Sequence, residues 1–396
     1  MATAVLDLDL QQLPSVISGL ERYSRALVLI RLHGRPVGQA LLPVLGGHLG
    51  GTELHDALLE AAGGALWERW LHDYLGWEEA RATASALPSA TVAVCTRDRP
   101  EDLRRCLEAL MRLPDDGQEL LVIDNCPSSD ATRHIVEGYG RIRYVREDRP
   151  GAGVARNRAL REARHEVVAF TDDDAVVDPG WLRALLANFD DPRVLCVTGL
   201  AMPLELETEA QEWSERYSPF GRGYKRIVFD STNLNPLLGS LVGASVNTAL
   251  RRSVLEHIGP FDEALGPGTP CRSGEDTEMF SRIMTAGYCI VYDPTALCWH
   301  RHRRTWKELR QMLYGYGTGV YGAWTRSLLV EGEFSVPKLA WAWFQLKQLP
   351  SLARSLLRRP NRVPADLLLA ELCGCAAGPW LYLSSRRRLR TRNGQE

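Results

Sequence analysis

Between residues 167 and 174 the chain reads Val-Val-Ala-Phe-Thr-Asp-Asp-Asp, and this run constrains the fold more than any other. An unbroken apolar stretch opened by two β-branched residues is the pattern of a strand buried on both faces, as in a parallel sheet covered by helices. The carboxylates that follow fix where such a sheet would present charge. Side chains alternate along an extended segment, so Asp172 and Asp174 share one side and Asp173 points away. Carboxylates this close raise one another's pKa unless a cation lies among them. A divalent Mg²⁺ or Mn²⁺, held by one or two carboxylates and by phosphate oxygens, meets that requirement. In an open α/β sheet the ligand crevice lies outside the carboxyl ends of the strands, where this triplet falls. The plainer alternative is an acidic turn leading into a helix.

The surrounding sequence supplies the rest of such a sheet. Thr91–Cys95 is a short buried strand ending at Thr96-Arg97-Asp98-Arg99-Pro100, and Leu103, Leu107 and Leu110 then mark one helical face. Leu120–Ile123 is a second strand, ending at Asp124-Asn125, with a helix expected over Ser128–Tyr139. Ile142–Val145 is a third strand, and Gly151-Ala152-Gly153 opens a helix running to Ala163. Strands alternating with helices predict a mostly parallel, doubly wound α/β sheet. Each strand delivers polar residues at its carboxyl end, and three converging ends suit one nucleotide-sized site better than three unrelated turns. Asp124 and Asp98 are suited to accept from a base N–H. Glycines at 151 and 153 would let backbone approach a ligand at a helix N-terminus, although a plain turn explains them equally.

Taken in series, V-A-V-C-T-R-D-R-P, L-L-V-I-D-N, G-A-G-V-A-R-N-R-A and V-V-A-F-T-D-D-D-A-V-V-D-P-G-W-L resemble the family 2 glycosyltransferases. Gly243-Ala244-Ser245-Val246-Asn247 before Arg251-Arg252, Ile258-Gly259-Pro260-Phe261-Asp262-Glu263, and Gly274-Glu275-Asp276 continue the likeness to about residue 320. The resemblance implies an A-type glycosyltransferase (nucleotide-diphospho-sugar transferase) fold and an inverting hexosyltransferase using a nucleotide-diphosphate sugar and a hydroxyl-bearing acceptor. It implies donor contacts from Thr96, Arg97, Asp98, Asp124, Asn125, Gly153, Arg156, Asn157, Asp172 and Asp173. Mg²⁺ or Mn²⁺ would sit on Asp174 and Asp172, with His300 a secondary candidate ligand and His302 a third. Asp276 becomes the general base, with Glu275 orienting it or touching the acceptor; the plain reading of this pair is a helix N-terminal acidic pair. Arg301, Arg303, Arg304 and Lys307 could hold the departing diphosphate or form a solvated face.

The 396 residues divide by pattern into three stretches. Residues 1–88 read as a small α+β accessory module with a strand–turn–strand over 26–38 and helical spacing from Leu54 to Leu71, bounded by Ala84–Ser89. Its His33, His48, His55 and His72 lack metal-ligand spacing. Residues 89–325 read as the catalytic domain, and between Leu200 and Leu241 an irregular stretch with Trp213, Tyr217, Phe220 and Tyr224 suits an acceptor-binding loop or lid. Residues 326–396 form a helical, Arg-rich extension.

A formal net charge of −2 offers no field for nucleic acid, which is not expected as a partner. Nine cysteines without framework spacing suggest free thiols in a reducing cytosol. Asp7 and Asp9 interrupt any signal-peptide pattern. The location expected is therefore cytoplasmic. Asp366 and Glu371 oppose a spanning helix over 365–383, so the tail would pack on the enzyme or, through Arg386, Arg387, Arg388, Arg390 and Arg392, rest on the inner membrane face. A nucleotidyltransferase would need a Gly- and Lys-rich loop after the first strand, and a dinucleotide oxidoreductase would need G-x-G-x-x-G there; both are absent. A non-catalytic nucleotide-sugar-binding or scaffold protein is the alternative of a different class.

Overall fold

The computed structural model describes residues 2–76, 87–357 and 362–393. Of the boundary expected at 84–89, residues 84–86 lie outside the described residues, as do the side chains of His72 and Arg392. The amino-terminal unit comprises β1 (Ala2–Asp9), β2 (Val16–Ile17), β3 (Tyr23–Leu32), β4 (Arg35–Pro43), β5 (Leu49–Gly50) and helix α1 (Gly51–Leu75). β3 and β4 make the expected hairpin, turning at His33 and Gly34, both with positive φ. β1, which the pattern does not announce, pairs parallel to β3. Leu54, Leu58 and Ala62 of α1 close a core over Val28, Ile30 and Ala40. Beyond that turn the expected apolar stripe leaves the sheet, and Trp67 and Trp70 are exposed. The other face of β3 packs Leu27 and Leu29 on Leu200, Met202 and Leu297 of the central sheet. Arg31 reaches Asp178 at 2.8 Å, and Thr3 N donates to Leu206 O at 2.9 Å, fastening the unit in place.

The central sheet has nine strands. They are β6 (Ala90–Thr96), β7 (Glu119–Asn125), β8 (Ile142–Glu147), β9 (Val167–Asp172), β10 (Ala175–Val177), β11 (Val194–Pro203), β12 (Ile227–Phe229), β13 (Asn247–Arg251) and β14 (Cys289–His300). Their spatial order is β10-β14-β11-β13-β9-β6-β7-β8, with β12 also beside β14. β6 to β9 are mutually parallel, β11 and β14 are parallel to each other, and β13 runs antiparallel between β9 and β11. The mostly parallel α/β class read from the sequence is the one observed. Successive strands run outward to β8 on one side of β6, while β9 lies on its other side. The chain thus reverses its winding between β6 and β9, the topological switch point at which open sheets bind ligands.

Helices cover both faces. On one face α2 (Pro100–Leu110) and α5 (Trp181–Leu186) pack Leu103, Leu107 and the fully buried Trp181. On the other, α4 (Ala152–Glu162) and α8 (Glu275–Thr285) pack Ala155, Leu160, Phe280 and Ile283. The chain also forms α3 (Ala131–Glu137), α6 (Glu209–Tyr217), α7 (Val254–His257), α9 (Trp306–Arg326), α10 (Val336–Trp343), α11 (Leu349–Leu356) and α12 (Ala365–Asn393). α12 lies against α9 so closely that a Cβ on Gly374 would fall 2.1 Å from Tyr314 O, and one on Gly317 2.3 Å from Glu371 O. The glycines of the 315–322 segment therefore serve close packing.

Candidate functional site

Sheet register assembles the site. β6 pairs Cys95 with Asp172 of β9, so the loop after Thr96 lies beside the acidic triplet. β13 pairs Asn247 with Thr171, bringing Ser245 to the same edge. β10 pairs Ala175 with His300, and Arg301 N donates to Asp174 O at 3.0 Å, which sets His300 against Asp174. Asp172, Asp174 and His300 each offer a ligand atom, and these atoms lie within 4.8 Å of one another. His300 Nε2 stands 3.2 Å from Asp174 Oδ1.

Asp173 turns the other way, set by the turn that it and Asp174 form between β9 and β10 rather than by a continuing strand. Its carboxylate accepts from Thr96 Oγ1 at 2.7 Å and from Arg99 Nη1 at 3.1 Å. Arg99 Nη1 also reaches Asp174 Oδ2 at 3.1 Å, and Arg303 Nη1 approaches the same oxygen at 3.5 Å. Burial, with Asp174 adjacent, pushes Asp173 up to about 6 against the pull of Arg99 and Thr96. Burial acts on Asp174 too, but His300, Arg303 and Arg99 outweigh it and hold this carboxyl well below its ordinary range. Asp172, at the floor of the recess, is raised by burial in spite of Arg156.

Behind His300 runs a buried relay. His300 Nδ1 meets His302 Nδ1 at 3.3 Å, and His302 Nε2 meets Glu215 Oε2 of α6 at 2.9 Å. Phe220 stands edge-on to both rings, at 5.1 and 5.8 Å between centroids. Burial lowers the His302 pKa and favours its neutral form. A carboxylate only accepts, so His302 carries its proton on Nε2 and its Nδ1 accepts from His300 Nδ1–H. His300 Nε2 faces Asp174. Two carboxylates and an imidazole whose ligand atoms lie this close make a donor set that fits a divalent ion, which would take up His300 as the neutral ring with Nε2 free. Charge agrees: Asp172, Asp173, Asp174, Glu275 and Asp276 outnumber Arg99, Arg156 and Arg303 by two.

Arg156 joins this cluster to the Glu275–Asp276 pair. The guanidinium is buried; Nη1 pairs with Glu275 Oε1, Nη2 donates to Ser245 Oγ at 2.9 Å and lies 3.7 Å from Asp172 Oδ1. Burial opposes its charge, but Glu275, Asp172 and Asp276 more than restore it. Glu275 itself is raised by burial. Asp276 Oδ2 accepts from Ser245 N at 3.2 Å and Oδ1 from Thr277 N at 2.7 Å, fixing the carboxylate at the first turn of α8. Gly274 precedes it at φ 98, where an added Cβ would come within 2.5 Å of Gly319 O. Tyr316 of α9 lies near enough to Arg303, Asp276, Arg222 and Asp172 to interact electrostatically with each.

The expected donor residues divide. Asp124 is fully buried at the end of β7; Oδ2 accepts from Tyr144 OH at 2.9 Å, while Oδ1 has no hydrogen-bond partner. The Thr132 hydroxyl approaches Asp124 without satisfying that oxygen, and burial raises the Asp124 pKa. Asn125 accepts from Gly151 N at 2.9 Å and donates to Arg149 O at 2.7 Å, setting the entry to α4. Asp98 is taken up by Ser128, whose N–H and hydroxyl both donate to it at 2.8 Å. Arg97 is half-exposed and turns toward Asp98, 3.9 Å away. Thr96, placed by the resemblance at the nucleobase, instead braces Asp173. Asn157 has both ends of its amide committed to Phe261 backbone, and Gly153 lies against the backbone of Asp262 and Glu263. Of the basic run, Arg301 pairs with Asp102 and Arg304 with Glu205, leaving Arg303 to face the site. Arg99, Ser245, Glu215 and Tyr316 join the site although pattern reading assigns them no role. Arg99 and Ser245 stand inside motifs already singled out; Glu215 and Tyr316 are helical residues whose position only tertiary packing reveals.

Residues 91–259 match the family model described as "Glycosyl transferase family 2". The pre-mycofactocin glycosyltransferase of Mycobacterium tuberculosis is 29% identical over 236 residues, 57% of this chain and 46% of that protein. Glycosyltransferase AglE of Haloferax volcanii is 26% identical over 250 residues, 61% of this chain and 75% of that one. The chain thus spans about half the length (46%) of the first of these relatives. A mannosyltransferase from Pyrobaculum calidifontis, solved with GDP-Man and Mn²⁺, superimposes with a TM-score of 0.45 at 17% identity, covering 84% of each chain.

Proposed function

The chain belongs to glycosyl transferase family 2 through residues 91–259, and from that premise we propose that it moves a hexose from a nucleotide-diphosphate donor to an acceptor hydroxyl with inversion at the anomeric carbon. The observation that carries this reading is the juxtaposition, across the single buried Arg156, of the Asp172–Asp174–His300 donor set and the Asp276 carboxylate. Asp124 offers its unpartnered oxygen to a base N–H of the donor. Asp172, Asp174 and His300 would hold Mn²⁺ or Mg²⁺, which supplies positive charge against the departing diphosphate. Arg303 lies where it can meet the same phosphates. Asp276 accepts the acceptor hydroxyl's proton, its carboxylate held in place by two backbone N–H bonds, and assistance of this kind is worth about 10²–10⁴-fold. Arg156 holds Glu275 and Ser245 so that Asp276 stays aimed at the recess. Residues 1–88 serve as an accessory module, 89–325 as the catalytic domain and 326–396 as an extension closing its α9 side.

The test is incubation of the purified chain with a panel of nucleotide-diphosphate sugars and Mn²⁺, reading nucleoside diphosphate released. Release from at least one donor, abolished by chelation and by Asp174→Asn, is expected. Turnover that persists undiminished in chelator overturns the metal role, and wild-type turnover in Asp276→Asn overturns the base.

A further inference from the structure

Residues 334–365 contain six basic side chains and no acidic one, in a chain whose overall charge is close to balanced. In the described part of this segment, α10, a π-helical turn over Phe344–Gln348 and α11 run consecutively. One side faces the protein: Val336, Leu339 and Trp343 pack with Leu237 and Trp324, and Gln348 donates to Cys375. The other side carries large apolar groups into solvent, with Phe334 83%, Leu346 78%, Leu357 68% and Trp341 60% exposed, and Leu356 and Leu349 beside them. Lys338, Lys347 and Arg354 are interspersed, Lys347 lying 5.0 Å over the Trp343 ring.

We propose that this face docks on a bilayer containing anionic lipid, its aromatic and leucine side chains entering the headgroup boundary and its cations meeting phosphates. Long basic side chains keep their charge at the interface while their stems lie along apolar surface, the arrangement a membrane-surface helix needs. A second copy of the chain is a poorer occupant. Two-fold pairing would set Lys338, Lys347 and Arg354 near their own counterparts with no carboxylate from residues 334–365 to meet them. The docking site also lies apart from where composition points. The stretch Ala365–Thr391 of α12 is long enough to cross a membrane, and its most apolar 18-residue window has a mean hydropathy of 1.3. Its acids, however, face the protein: Asp366 accepts from Trp306 Nε1 at 2.7 Å and Glu371 from Tyr217.

The experiment is co-sedimentation of the full chain with vesicles, either phosphatidylcholine alone or with about a third phosphatidylglycerol. Wild-type protein is expected to pellet with the anionic vesicles and to remain in solution with the neutral ones. Lys338→Glu/Lys347→Glu/Arg354→Glu should weaken binding by about a hundredfold or more, from three cations each contributing near the surface. Trp341→Ser/Leu346→Ser/Leu357→Ser should weaken it at least about tenfold through lost apolar burial. Both variants should keep the wild-type thermal unfolding temperature and donor hydrolysis. Wild-type protein that stays in solution with anionic vesicles overturns the proposal. So does a concentration-dependent dimer in light scattering that the serine variant abolishes, which would assign the face to a second copy. Neither result bears on the transferase reading, because vesicle binding needs no donor.

Discussion

Removing Glu215 tests whether the buried histidine relay governs the metal-binding nitrogen. Glu215 never approaches Asp174 directly; it acts on His302 Nε2 at 2.9 Å, and His302 acts on His300 at 3.3 Å. In Glu215→Ala, His302 loses the acceptor that holds its proton on Nε2, at a site only 4% exposed. An orphaned buried N–H costs about 1–3 kcal/mol. The imidazole can escape that cost by moving its proton to Nδ1, which then donates to His300 Nδ1. His300 must in turn carry its proton on Nε2, the atom facing Asp174 and the ion. Binding Mn²⁺ then requires either reversing both tautomers or leaving the orphan, so the penalty reappears in affinity. Loss of an outer partner of a ligating histidine typically weakens metal binding about 10–100-fold, or roughly 1.4–2.7 kcal/mol. The two estimates agree.

Titration of the variant with Mn²⁺, reading free ion by electron paramagnetic resonance, measures this without reference to turnover. Glu215→Gln keeps an acceptor oxygen opposite His302 and should recover most of the affinity, which a purely steric role for Glu215 would not explain. Unfolding in chelator should change little between the two variants. Wild-type Mn²⁺ affinity in Glu215→Ala, alongside lost affinity in His300→Ala, would refute the relay while leaving the ligand assignment intact.

Asp276→Asn should lower the rate of transfer by about 10²–10⁴-fold while leaving Mn²⁺ and donor affinity unchanged, measured by single turnover and by calorimetry. Arg156→Lys replaces a fork that touches Glu275, Ser245 and Asp172 by one ammonium that cannot span them; kcat should fall about 10²-fold from misplacement, with Mn²⁺ affinity nearly retained. Gly274→Ala has no room for its methyl beside Gly319 and no comfortable φ, so it should both lower the urea midpoint and impair kcat. Glu371 is raised above the ordinary glutamate pKa by burial, so its contribution to stability is present below the unfolded value and is lost as pH rises through the raised one. Glu371→Gln should therefore gain stability relative to wild type as pH rises above about 4, read as a shift in urea midpoints; a difference independent of pH counts against the assignment.

The strands, their order of appearance and the acidic end of β9 were legible because each rests on local chemistry: apolar runs of strand length and turn residues after them. Asp173 does part from Asp172 and Asp174, but through the turn that closes β9 and not through the strand alternation that the pattern suggests. Roles implied by resemblance are less legible. Thr96 donates to Asp173 and the Asn157 amide is committed at both ends to Phe261 backbone, whereas Asp98 accepts from Ser128 through Oδ1 and its Oδ2 lies 3.9 Å from Arg97. Residue type shows that a side chain can bind a ligand, but only the completed hydrogen-bond inventory shows whether it still has a group to offer.

The inventory at Asp124 and Asp173 makes that distinction concrete. Both are buried carboxylates at the ends of β7 and β9, the strands on either side of β6, and burial raises both pKa values. Asp173 is met by a hydroxyl and a guanidinium, and its partner Arg99 spans the triplet, so Asp173 acts through the shape and charge of its neighbours. Asp124 keeps one oxygen without a hydrogen-bond partner, closed to solvent, so a ligand N–H reaches it only when neighbouring groups move aside. Leaving a buried acceptor unpaired costs free energy in the resting protein, and a ligand N–H that fills it recovers that cost only when it presents a donor at this point. Selectivity for the base can therefore be strong at Asp124 and absent at Asp173, although in sequence the two are equally polar, equally acidic and equally placed after a strand.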